Sequence, residues 1–330
     1  MKCPACESAS ANLLRKNYTG YIVGTSFDIF SCGDCNANFI ETKGVNPKLY
    51  DLIYSSTGTP GYDRYFKYSQ QVKLEKDPLK FLSAEEPSHF PIFKILRNEK
   101  GLKILEIGCG YGYLTYALNQ AGHNAFGIDV SKNAINAATN NFGKYFACSD
   151  LDSFVKKSKD KFDAVIATEV VEHVGDPKNF VKECFSILND SGKIILTTPD
   201  KDYAPQGSVW NTDGPPVHTI WLSKKSFEAI ASALGLKADF INFSDYFPKN
   251  ENKLVNFLLS RRMFIQDSVL AEDGSPNPNR RNPSASLPWK LARFILVSFF
   301  PVRILCNLIY NLALGKKYQV LGVVLSKNKI

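Results

Sequence analysis

"ILEIGCGYGYL", residues 104–114, sets how the rest of the chain is read. An apolar run ends in an acid, Glu106, and three glycines follow at alternate positions, Gly108, Gly110 and Gly112. A short apolar run with glycines at its exit reads as a buried strand leaving a sheet through a tight turn. Glycine reaches φ > 0 and lets backbone pass close to a ligand, so this turn marks a candidate binding edge.

Working outward, apolar and helical segments alternate. "NAFGIDVS", "YFACSDL", "FDAVIATEVVEHV" and "GKIILTTPD" read as strands, and "YLTYALNQAG", "KNAINAATNNFG" and "PKNFVKECFSILNDSG" as helices. Such alternation predicts a parallel sheet covered on both faces. "SKKSFEAIASALG" adds a helix with Ser223 as N-cap, and "LKADFINFSDYF" and "YQVLGVVLSK" add two more strands. Upstream, Cys3, Cys6, Cys32 and Cys35 form C-x2-C…C-x2-C around β-rich sequence. Two such pairs supply four thiolates for tetrahedral zinc and favour a closed structural site over a redox pair.

The chain has 330 residues, room for one large domain with additions or for two. Apolar residues make up 44% and charged residues 22%, as in a soluble protein with a sizeable core. The net charge of +8 is concentrated, because residues 251–330 hold twelve Lys/Arg against four Asp/Glu. A basic, aromatic-rich stretch points to a membrane surface or an anionic ligand, and away from nucleic acid. The opening residues contain no apolar signal core, so the expected location is cytoplasmic, with membrane contact only at the inner face. In that compartment the eight cysteines read as metal ligands and buried thiols.

The glycine spacing separates two ligand classes. A dinucleotide turn, G-x-G-x-x-G, would need its third glycine at position 113, which is Tyr113. The G-x-G-x-G spacing after an acid resembles the first motif of class I S-adenosylmethionine-dependent methyltransferases. That resemblance implies an α/β fold, a Rossmann-like seven-stranded sheet, here with an N-terminal zinc ribbon and a helical insertion before the last strand. It implies cofactor contacts from Glu106, Gly108, Gly110 and Gly112. Asp129 would hold the ribose hydroxyls, and Asp150 with Leu151 would face the adenine. The residues themselves leave Glu106 open to a purely structural role, Asp129 to capping a helix, and Asp150 to a solvated turn. The expected units are a zinc ribbon at 1–43, a helical linker or cap at 44–100, the cofactor domain at 101–249 and 318–330, and an insertion at 250–317.

"TEVVEHVGDP" resembles the ubiquinone-biosynthesis O-methyltransferases, in which E-x-x-E-H carries a divalent metal. The matching residues are Glu169, Glu172 and His173, with Glu169 also a cofactor contact. His173 equally reads as a base or site wall. His218, in the Pro-stiffened "DGPPVHTIWLS", reads as a general base or as a loop-fixing hydrogen bonder. His123, after the helix-ending Gly122, is expected on the surface. Residues 294–315 are long enough to span a bilayer, yet Pro301 and Arg303 interrupt them. An interfacial hairpin at 285–316 and a pair of core or dimer helices are both open. The expected reaction is O-methylation of a sugar or ring hydroxyl. Analogy with similar enzymes adds lipid-linked or cell-surface glycan acceptors. The competing classes are a non-catalytic zinc-ribbon adaptor that binds the cofactor and a nicotinamide oxidoreductase.

Overall fold

The computed structural model describes residues 1–42, 49, 63–203, 214–246, 254, 267–280, 300–314 and 318–328. Expectations for the Pro/Asn/Arg linker beyond 280 and for residues 294–299 fall outside the described residues. Three strands open the chain: β1 (Ala11–Thr19), β2 (Ser26–Cys32) and β3 (Asn38–Ile40). Then come α1 (Asp63–Gln71), α2 (Pro78–Glu85) and α3 (Phe90–Leu96). Asp77 caps α2 by accepting the Lys80 N–H at 3.0 Å, with Pro78 in the first turn where its missing donor is harmless.

The alternating part follows as β4 (Lys103–Ile107), α4 (Tyr113–Gln120), β5 (Asn124–Asp129), α5 (Lys132–Phe142), β6 (Phe146–Cys148) and α6 (Leu151–Lys157). It continues through β7 (Phe162–Thr168), α7 (Pro177–Ser186), β8 (Leu188–Pro199), β9 (Ile220–Trp221), α8 (Lys224–Ala233) and β10 (Leu236–Phe240), and ends with α9 (Phe300–Leu314) and β11 (Val320–Lys327). The expected reach of α7 toward Gly192 is corrected. The helix stops at Ser186, and Leu188 already pairs with Phe162 as the start of a 12-residue β8.

Seven strands form one sheet in the order β10-β11-β8-β7-β4-β5-β6. Contacts among β6, β5, β4, β7 and β8 are parallel, while β11 runs antiparallel between β8 and β10. Both faces are buried, so the strands carry near-continuous apolar runs. Ile104, Ala164, Ile166 and Ile195 face a core shared with α2, α3 and α4. Leu105, Val165, Ile194 and Leu196 face the other, with Phe180 of α7 and Phe227 of α8. Leu79, Leu82, Ile92 and Leu96 share the core of Ile104, so packing crosses the expected boundary at 101.

The N-terminal ribbon packs on the main sheet's core. Its sheet has the order β1-β2-β3-β9, which takes in two residues, Ile220 and Trp221, from much later in the chain. Asn38 pairs with Trp221 and Phe39 with Ile220, and Cys3, Ala5, Ala37 and Phe39 belong to the main core. Within the insertion, Val269 and Leu270 pack on Tyr21 and Val217. His123 is buried, contrary to expectation, because the Gly122 turn at φ 91° folds the chain back and its N–H bonds Leu118 O at 3.1 Å. Cys148 is exposed, whereas a buried thiol was expected.

Candidate functional site

The chain leaves β4 outward to β5 and β6, then crosses back to β7 on the other side. Ligands of open parallel sheets sit at such a switch, at the C-terminal strand ends. The glycine turn lies there. Gly108, Gly110 and Gly112 all have positive φ, at 71°, 49° and 77°. Side-chain crowding adds a second demand at two of them. A Cβ on Gly108 would come within 2.5 Å of Val170, and one on Gly112 within 2.6 Å of Phe146.

Gly110 has a different partner. Its N–H donates to Asp129 Oδ2 at 2.8 Å, and the Ser131 N–H donates to Oδ1 at 2.8 Å. The carboxylate sits at the tip of β5, is 6% exposed, and is held in one plane by these two bonds. A carboxylate oxygen can accept from more than one donor, a hydroxyl included. The cap of α5 is Ser131, whose Oγ accepts the Ala134 N–H, so the capping role open to Asp129 belongs to its neighbour.

Glu106 lies beneath the turn, 2% exposed. Its carboxyl accepts the Thr115 hydroxyl, an approach that bare Gly127 permits because a Cβ there would meet Thr115 Oγ1 at 2.7 Å. Burial pushes Glu106 up to about 8, opposed by the Thr115 bonds. The carboxyl is thus protonated at neutral pH and ties β4 to α4. Its folded value exceeds the unfolded one, so the stability it contributes is complete below about pH 4.5 and is lost as pH rises toward 8. Glu106→Gln is expected to leave stability nearly unchanged at pH 4.5 and to raise it by about 4 kcal/mol at pH 8. Denaturant melts at the two pH values check this, and equal effects at both would refute it.

Asp150 is the N-cap of α6, its oxygens accepting the Ser153 N–H at 2.7 Å and Ser153 Oγ at 2.9 Å. Leu151 is buried in the main core. Both stand next to the end of β6, and Ser149 N–H bonds the Asp129 carbonyl at 3.0 Å.

Beyond β7 the chain bends at Glu169, a non-glycine residue at φ 55° whose N–H bonds Thr197 O at 3.0 Å. Of the expected metal set of Glu169, Glu172 and His173, the structure brings Glu172 and His173 together with His218. The ligand atoms that converge within 4.8 Å belong to Glu172, His173 and His218. His218 arrives through the loop before β9, which also holds a cis Pro215–Pro216 bond. Thr219 fixes that loop, its N–H bonding Glu172 O at 2.8 Å and its hydroxyl Val174 O at 2.9 Å. The His173 and His218 rings meet edge to face at 4.7 Å. His173 Nδ1 lies 2.7 Å from Val217 O. Burial takes His173 down to about 4 against the carbonyls of Val217 and Glu169, and takes His218 well below its ordinary value with help from His173. Both rings are therefore neutral at physiological pH. His218 Nδ1 is buried without a partner. Two imidazoles and one carboxylate suit a borderline divalent metal better than magnesium, and a carbonyl on the far nitrogen of His173 is the usual second support.

Sequence reading missed the cover from α1. Arg64 bonds Glu86 at 2.8 Å and the Tyr65 hydroxyl at 2.9 Å, and Tyr65 stacks on Tyr113 at 6.3 Å. Burial raises the Tyr65 phenol against the pull of Arg64, and the charges of Glu86, Glu169 and Glu172 raise it further. A lone Arg among tyrosines carries no spacing signal.

At the ribbon, the Sγ atoms of Cys3 and Cys35 lie 3.5 Å apart and those of Cys6 and Cys32 3.6 Å apart, and all four fall within 4.8 Å of one another. Four thiolates about 2.3 Å from zinc would stand roughly 3.8 Å apart, so the set fits that ion. The residue after each knuckle, Glu7 and Asn36, takes positive φ, at 61° and 58°.

The strand order, the glycine turn and the acid at the tip of the second strand define the class I S-adenosylmethionine-dependent methyltransferase fold. Residues 77–239 match the family model described as "Methyltransferase domain". This segment contains the turn, Asp129 and the Glu172–His173–His218 cluster. Ubiquinone biosynthesis O-methyltransferase, mitochondrial, of Bos taurus is 32% identical over 182 residues, 48% of this chain and 49% of the relative. The Homo sapiens protein of that name is 32% identical over 196 residues, 52% of each chain. The chain thus spans about half the length of the curated relatives it matches. A solved S-adenosylmethionine-dependent methyltransferase from Archaeoglobus fulgidus gives a TM-score of 0.44 at 18% identity, over 80% of this chain and 99% of that one.

Proposed function

We propose that this protein is an O-methyltransferase that uses S-adenosylmethionine to methylate a hydroxyl of a small acceptor, on an aromatic ring or a sugar. The observation that carries the reading is the Asp129 carboxylate, pinned by the Gly110 N–H at the strand tips inside a methyltransferase-domain segment. The cofactor supplies a methyl group made electrophilic by a sulfonium. Asp129 would hold the ribose, the glycine turn would admit the methionine half, and Asp150 and Leu151 would border the base. Glu169 would contribute through its place on the bend after β7. His218, neutral and with Nδ1 unpartnered, would accept the acceptor's proton. A divalent cation on Glu172, His173 and His218 would instead polarise the acceptor oxygen. Zinc on Cys3, Cys6, Cys32 and Cys35 would be structural. A lipid-linked acceptor agrees with the apolar helix near the C-terminus.

The test is calorimetry with S-adenosylmethionine and NAD, then transfer of labelled methyl to a catechol, a quinol and a hexose. Binding of the first cofactor alone, with transfer to one acceptor class, is expected. His218→Ala should then lower transfer by roughly 10²–10⁴-fold with cofactor affinity retained. Cofactor binding without transfer to any acceptor would favour the adaptor reading, and binding of NAD the oxidoreductase. Activity lost on Glu172→Gln and dependent on added manganese would assign the cluster to a cation.

A further inference from the structure

Helix α9 is built inside out. Its outward face carries Ile304, Leu305, Leu308, Ile309 and Leu312, spaced as one stripe, with Leu312 88% exposed. Its inward face carries the polar groups. Asn307 is 2% exposed, Tyr310 is fully buried among Phe90, Tyr203, Phe243 and Tyr246, and Asn311 donates to Ser244 O at 2.9 Å. Those anchors fix the rotation of the helix, so the stripe cannot turn inward without stranding buried polar atoms. Contiguous exposed apolar surface of this kind marks an interaction site.

We propose that this face docks on an anionic membrane surface. Charge selects the partner. Residues 274–330 contain nine Lys/Arg and no Asp/Glu, and in sequence Lys316 and Lys317 come two and three positions after Leu314, the last residue of the helix. Two copies of the chain meeting here would bring like charges together, whereas acidic headgroups neutralise them. The described helix is too short to cross. Fifteen residues rise about 22 Å, short of a hydrocarbon core of about 30 Å, and no helix among the described residues is long and apolar enough to span. Such a helix lies in the interface plane with its apolar stripe among the acyl chains.

The position matters for the site. Tyr203 and Tyr318, against which α9 packs, flank the pairing of Pro199 with Val320 at the C-terminal end of β8. That is the end of the sheet where the glycine turn and Asp129 lie. A docked α9 therefore sets the mouth of the cleft toward the lipid surface, where an acceptor with a lipid tail would reside. This last step rests on the proposed methyl transfer, whereas the docking itself does not.

The experiment uses the full chain with vesicles of neutral phosphatidylcholine and of phosphatidylcholine with one-quarter phosphatidylglycerol. The protein is expected to sediment with the anionic vesicles, on the order of tenfold more than with the neutral ones, and to be released by 0.5 M salt. Leu308→Glu with Leu312→Glu should remove sedimentation while S-adenosylmethionine affinity and the melting temperature hold. No sedimentation of the wild type, or sedimentation untouched by the double variant, overturns the proposal. A concentration-dependent dimer that the variant disperses would assign the face to a second copy. A fall in melting temperature without any vesicle binding would assign it to another part of this chain.

Discussion

Asp129→Ala is expected to weaken S-adenosylmethionine binding by a factor on the order of 10²–10³, the largest loss for any single side chain of the strand tips. Two effects combine. The ribose would lose two charge-assisted hydrogen bonds, each contributing about 1.5–3 kcal/mol. The Gly110 N–H would also lose the acceptor 2.8 Å away that fixes the middle of the turn, so the cradle itself would relax. The same orphaned N–H groups of Gly110 and Ser131 should lower stability by about 2–4 kcal/mol. Affinity is therefore to be measured by calorimetry well below the unfolding transition, and stability by denaturant melts. A variant that melts earlier yet binds the cofactor within about threefold of the wild type would confine Asp129 to holding the turn and remove the ribose role.

Much of the fold is legible because parallel strands buried on both faces must be apolar. Runs such as Ile104–Ile107 and Ile194–Leu196 stand out against their helical neighbours. The glycine turn is legible for a related reason: positive φ at Gly108 and Gly112 coincides with contacts that leave no room for a Cβ. The end of α7 is less so, since Ile187 and Leu188 suit either a last helical turn or the first residues of a strand. Pairing of β3 with β9 is invisible in the sequence. Two residues, Ile220 and Trp221, show no period, and their partner lies near position 39.

The site divides in the same way. Residues on one short segment, Glu172 and His173, are readable together, but local spacing cannot reveal that His218 lies beside them. Their union depends on Thr219 bonding the Glu172 carbonyl, a contact across 47 residues. Arg64 and Tyr65 escape for the same reason: their partners, Glu86 and Tyr113, lie 22 and 48 positions away. Asp129 needs only its place at a strand end, and that place is local.

Removal of zinc is expected to abolish acceptor methylation, by a factor of 10² or more, while cofactor affinity changes by less than about threefold. A closed four-cysteine centre does no chemistry, so an effect on turnover must travel through structure. The route is short. The Cys35 carbonyl accepts the hydroxyls of Ser223 at 3.3 Å and Ser226 at 2.9 Å, the two residues that form the capping box of α8. Next to it, the Ile40 N–H bonds Thr219 O at 3.0 Å, and β3 pairs with Ile220 and Trp221. Thr219 in turn holds Glu172 and adjoins His218. Asn36, following the second knuckle, is bridged to Lys201 at 2.7 Å and Asp202 at 2.8 Å. Without the ion the cysteines take up protons and the bonds that tie the two knuckles together are gone, so the knuckles would open and β9 would lose its partner strand. The loop carrying His218 would then lose its register against Glu172 and His173. Gly110 and Asp129 make their bonds on β4 and β5 and depend on none of these contacts. Mass spectrometry should find one zinc per chain, and Cys35→Ser should reproduce the chelated state. Turnover that survives complete loss of the metal would make the ribbon an independent appendage, and a purified chain without zinc that still methylates would dismiss the centre itself.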